Sequence, residues 1–113
     1  MRLESQVIHG DLTANVLFEA GLPPAVIDFS PYWRPAGFAL AVIVADALVW
    51  GGADREVLAL VADEPEFAQL LLRALMRRLL EVELHDRASG RRRPEDVEAY
   101  GPAIDLACRL AAQ

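Results

Sequence analysis

The chain has 113 residues, which suits one domain able to bury roughly 65% of the surface its unfolded form exposes. Its net charge of −6 and pI near 4.8 argue against nucleic acid as a partner, because phosphate recognition needs a basic footprint. The single cysteine, Cys108, excludes an internal disulfide and fits a reducing cytoplasm.

Taken in order, residues 1–6 form a polar lead, and Arg2, Glu4 and His9 interrupt any apolar stretch that could act as a signal peptide. Val7 and Ile8 read as a short strand. Segments 15–19 and 24–29 are two β-rich runs around Gly21-Leu22-Pro23-Pro24, the pattern of a hairpin. Residues 30–35 are expected to be a loop, since Pro31 and Pro35 prevent a helix.

Residues 36–51 are Ala, Leu, Val and Ile almost all round, so this segment predicts a helix buried on most faces and ended by Gly51-Gly52. Its apolar run, 38–50, carries Asp46 and is shorter than the ~20 residues of a membrane span. No membrane is therefore implied. Asp54 is placed to cap a short helix over 55–62.

The longest helix is expected over 65–86. Phe67, Leu70, Leu71, Ala74, Leu75, Leu79 and Val82 give one apolar stripe, and Leu72, Met76, Leu80 and Leu84 a second at i, i+4 spacing. Two stripes need covering on two sides. A basic loop, 88–93, precedes Pro94, which opens a last helix with Glu95 and Asp96 in its first turn. Gly101-Pro102 should kink or split that helix before 103–112.

The chemistry-bearing residues cluster early. His9, Asp11 and Asn15 follow the first strand, and Asp28 ends the return strand of the hairpin. The two ends of the hairpin bring Asp11, Asn15 and Asp28 together, and three oxygen-bearing side chains suit a hard cation such as Mg²⁺.

His9-Gly10-Asp11…Asn15 followed by Ile27-Asp28-Phe29 resembles the catalytic loop and metal segment of the protein-kinase-like small-molecule phosphotransferases, the aminoglycoside phosphotransferase and choline kinase group. The resemblance implies Asp11 as the catalytic base, and Asn15 and Asp28 as the Mg²⁺ ligands that work with ATP or GTP. Only Leu12, Thr13 and Ala14 separate Asp11 from Asn15, one residue fewer than the family pattern, and Ser30 stands where protein kinases have Gly.

A bilobal enzyme of this kind also needs a Gly-rich phosphate cover and a Lys on a strand. Every basic residue here is an arginine, and almost nothing precedes His9. The expectation is thus a mainly α chain with a small β-hairpin (α+β), the C-terminal lobe of the kinase-like fold in a single domain, 1–113, lacking the nucleotide lobe. Mg²⁺ with ATP or GTP is implied only if such a lobe is supplied. The rival expectation is a non-catalytic interaction or scaffold module on the same fold. The apolar fraction of 54% and the second stripe point to a homodimer, or to the missing lobe, as partner.

Other residues carry bland and functional alternatives. Tyr32, Trp33 and Arg34 line a small-molecule substrate pocket or, for Trp33, plug the core. Asp46 is a paired buried acid or a rim residue, since an acid on an apolar helix is costly unless hydrogen-bonded. His9 braces the loop rather than doing chemistry, His85 is exposed, and Cys108, among Leu106, Ala107 and Leu110, reads as a small core residue. Arginine in place of lysine and abundant alanine fit a GC-rich bacterial genome.

Overall fold

Alanines at buried positions set how closely the helices approach. Ala41 and Ala45 on α1 (Ala36–Val49), Ala74 on α2 (Phe67–Ser89) and Ala107 on α4 (Gly101–Ala111) are all completely buried. Leu70, Leu71, Leu75 and Val42 fill the remaining space. The computed structural model describes residues 2–113. It is mainly helical with small antiparallel sheets, an α+β architecture. The first apolar stripe of α2 packs against α1 and α4, as its periodicity requires. Among the described residues, no helix is long and apolar enough to cross a membrane.

Ahead of the helices lie β1 (Gln6–His9), β2 (Val16–Leu17), β3 (Ala25–Val26) and β4 (Pro31–Arg34). β2 and β3 make the expected hairpin, reduced to two residues a side. The expectation of a loop over 30–35 is corrected: Pro31–Arg34 is a strand paired with β1, with Val7 opposite Trp33 and Ile8 opposite Tyr32. Its prolines are compatible with this. Pro31 occupies the first position of the strand, and Pro35 lies beyond it as the N-cap of α1.

Asp54 accepts from the Glu56 amide at 2.9 Å and opens the expected short helix, Arg55–Val61, which is of the 3-10 type. α2 starts after Glu66, whose left-handed φ of 58° marks the entry, and runs on to Gly90, a left-handed C-terminal glycine. A Glu83–Arg87 pair supports its last turns. The final helix is split into α3 (Pro94–Glu98) and α4, with Tyr100 buried between them. Cys108 is exposed, contrary to the expectation, because Ala103 and Ala107 take the core-facing side of α4.

Leu71 tests this core. Leu71→Ala should lower the unfolding free energy by ~2–5 kcal/mol, whereas Leu60→Ala, at a side chain 85% exposed, should stay within about 0.5 kcal/mol of wild type. Urea denaturation of the two variants measures both.

Candidate functional site

The loop that follows β1 is held on every side by hydrogen bonds. The Asp11 amide donates to His9 Nδ1 at 3.0 Å, so the ring proton resides on Nε2, which donates to the Ile27 carbonyl at 3.0 Å. His9 is buried and meets Phe29 edge-on, with centroids 5.5 Å apart. The histidine is thus a brace. Asn15 returns to the start of the loop by two bonds, its amide N–H to Leu12 O at 2.9 Å and its side-chain Nδ2 to Asp11 O at 2.7 Å. Within the turn that these bonds close, Ala14 adopts a left-handed φ of 64°, a conformation glycine or asparagine usually supplies.

The segment carrying Asp28 is tied to the same loop. Ile27 N–H donates to Asn15 O at 2.9 Å, and Gly10 N–H donates to Ser30 O at 2.7 Å. Asp28 lies between these anchors with φ 50° and its side chain exposed. Left-handed backbone at a non-glycine residue persists only where its surroundings hold it, and such residues concentrate at functional sites.

The carboxylate of Asp11 is oriented from below by α2. Arg78 Nη2 donates to Asp11 Oδ1 at 2.9 Å. The same guanidinium forks onto Asp46 of α1, Nε to Oδ1 at 2.9 Å and Nη2 to Oδ2 at 2.6 Å, and reaches Glu81 at 2.9 Å. Thr13 Oγ1 donates to Asp46 Oδ2 at 2.6 Å. Asp46 is therefore the paired buried acid of the two alternatives. Burial lowers the proton affinity of Arg78, but hydrogen bonds to Asp46, Asp11 and Glu81 and the charge of Asp46 outweigh it. The net shift is upward.

Arg77 points the other way. It donates to Gly10 O, pairs with Glu81 and lies over the Tyr32 ring at 4.2 Å. A Cβ at Gly10 would come within 2.2 Å of that ring, so the glycine is required by contact, not by backbone angle.

Two clefts flank the loop. The larger, about 810 Å³, has Asp11, Asp46 and Arg78 on its polar side and Val16, Ile43 and Trp50 among its apolar walls. The Asp11 side chain, 45% exposed, opens into it. The smaller, about 330 Å³, is lined by Tyr32, Arg34, Arg73 and Arg77. Of the proposed pocket residues, Trp33 alone is set apart: 63% exposed, it points away from Tyr32 on the outer face of the β1–β4 ribbon. It neither lines that cleft nor plugs the core.

As a chemical set, Asp11 offers an oriented carboxylate, and Asn15 and Asp28 offer oxygens of the hard type that Mg²⁺ takes. With Asn15 Nδ2 committed to the loop, Oδ1 is the atom of that amide suited to a cation. Among the described residues, no three His, Cys, Asp or Glu side chains gather as a metal set. A cation here would need oxygens from a bound phosphate or water.

Arg77, Arg78 and Thr13 also belong to the site, beyond the residues that the motif names. Arg78 continues the core-facing positions Leu71, Ala74 and Val82, so a cation there and an acid at Asp46 were a signal for a buried pair.

Removing that cation tests the arrangement. Arg78→Met leaves Asp46 and Asp11 without their shared partner and should destabilise by ~3–5 kcal/mol, as broken buried pairs do. Arg78→Met combined with Asp46→Leu should recover most of the loss, since the stranded charge is gone. Chemical denaturation of the single and double variants measures the difference.

No protein-family model matches the sequence, and no curated protein or solved structure matches it either.

Proposed function

We propose that this chain is the catalytic-loop lobe of a small-molecule phosphotransferase-like protein. The parent reaction moves the γ-phosphoryl group of ATP or GTP to a hydroxyl. The observation that carries the proposal is the set of bonds joining the loop to the segment after β3: His9 to Ile27, Ile27 to Asn15, and Gly10 to Ser30. They bring the backbone of Asp28 beside the loop holding Asp11 and Asn15, the order and grouping that the resemblance requires.

In this reaction Asp11 takes the proton of the acceptor hydroxyl as its oxygen bonds to the γ-phosphorus. The bond from that phosphorus to the bridging oxygen breaks, and the nucleoside diphosphate leaves. Arg78, on Oδ1, fixes the direction in which the carboxylate accepts that proton. The loop brace at His9 keeps the Asp11 backbone in place. Asn15 and Asp28 are the residues that would hold Mg²⁺, whose charge offsets that of the phosphates when bound.

What grips the nucleotide lies outside these residues. The chain has no lysine, and its glycines form no phosphate cover. Catalysis of phosphoryl transfer is mostly positioning, and a displacement of about 1 Å can cost ~10²-fold. The chain alone is therefore inactive, and activity needs nucleotide-holding residues from elsewhere. A second reading, a non-catalytic interaction module, draws on the Arg78–Asp11 bond, which gives Asp11 a structural task independent of chemistry.

Metal binding separates these, and turnover tests whether one lobe can act alone. Mn²⁺ relaxation titrations should show weak binding to wild type that is lost in Asp28→Ala; equal responses would remove the metal-site proposal and leave the module. Incubated alone with ATP or GTP and amino-alcohol or sugar acceptors, the chain should show no turnover. Turnover abolished by Asp11→Ala would instead mean that one lobe suffices.

A further inference from the structure

The second stripe of α2 faces solvent. Met76, Leu80 and Leu84 are 68%, 59% and 55% exposed, and Leu72 at the head of the stripe is only partly buried. Three large apolar side chains in a row on one helix make a contiguous patch of the kind that marks an interaction surface. The pattern also says what covers it.

About Arg78 the stripe is symmetric: Leu72 and Leu84 are equidistant from it, and so are Met76 and Leu80. On the same exposed side one charged pair shares this spacing with opposite signs, Arg73 before Arg78 and Glu83 at the same distance after it. Gln69 and Arg87 form a further equidistant pair. A stripe that is apolar in both directions, with Arg73 and Glu83 equidistant from its middle, fits an antiparallel copy of itself.

We propose that α2 pairs with α2 of a second copy of this chain, antiparallel, about a two-fold axis that passes between Met76 and Leu80 on the exposed face of α2, level with Arg78 but opposite its buried side chain. Met76 then meets Leu80 of the second copy, and Leu80 meets its Met76. Arg73 faces Glu83 at both ends of the contact, as an isologous interface demands. A stripe at i, i+4 spacing is the ridge that interdigitates with its like at roughly −50°, the commonest helix crossing. Parallel pairing would set Arg73 against Arg73 and Glu83 against Glu83, whereas antiparallel pairing sets these two opposite charges face to face. Glu83 already gathers Arg87 and Arg92 at 2.9 and 3.0 Å, and Arg73 Nη1 lies 3.5 Å from Gln69 Oε1, so these side chains are held near the surface they would share.

Light scattering and sedimentation of the whole chain should show a dimer. Leu80→Glu, at an exposed position, should keep the wild-type circular dichroism and weaken the dimer at least ~30-fold, the effect of losing a central contact. Arg73→Glu should also weaken it, and Arg73→Glu with Glu83→Arg should restore it. In a Cys108→Ser background, a mixture of Met76→Cys and Leu80→Cys chains should oxidise mainly to the mixed disulfide. A monomeric wild type, a dimer indifferent to Leu80→Glu, or predominance of like-with-like disulfides would each overturn the proposal.

Discussion

The guanidinium of Arg78 holds together parts of the chain that have no other reason to meet as they do. It takes one carboxylate from α1, one from the loop after β1 and one from its own helix. Such a cluster is not there to add stability cheaply, because desolvating charges costs several kcal/mol per ion and apolar packing of equal volume often does as well. Its value is directional. Asp46 is held by both Nε and Nη2, which sets the plane of the guanidinium, and the second contact of Nη2 then falls on Asp11. Leucine in place of Arg78 could fill the space between α1 and α2. It could not aim Asp11.

Strain and its compensation are concentrated in the same region. Ala14 and Asp28, both left-handed without being glycine, lie within or beside the braced loop, and Glu66 at the start of α2 is the other such residue described. Conformations of this kind cost on the order of 1–3 kcal/mol each and persist where neighbours over-determine them. Here the neighbours are identifiable: two bonds from Asn15, two through the His9 ring, and one from Gly10. Local propensity and observed backbone disagree most where the proposed chemistry lies.

The longest helix was legible from its period, because Phe67, Leu70, Leu71, Ala74 and Leu75 recur at intervals only a helix can present to one core, and α1 from an all-round apolar composition too short to span a membrane. The pairing of β4 with β1 was not. Pro31 and Pro35 are loop residues by local rule, and their tolerance depends on β1 lying alongside, a contact between segments far apart in sequence. That the segment carrying Asp28 returns beside the loop after β1 followed from the hairpin, since both ends of a hairpin return to one place. Arg78 was hidden for a different reason. Its position on the buried side of α2 was readable, but the acid it meets could be found only by knowing that α1 and α2 lie side by side. Cys108 misled by its apolar neighbours in sequence, when the turn of α4 decides which of them face inward.

The contact between Gly10 and Tyr32 ties two distant positions to one history. The ring of Tyr32 occupies the space a side chain at position 10 would need, and Arg77 lies over the same ring. Neither position can drift alone: any larger residue at 10 must wait for a smaller one at 32, and that change would in turn uncover Arg77. The glycine of the His-Gly-Asp segment is thereby kept by a tyrosine on another strand, and divergence of the loop is limited by a residue outside it.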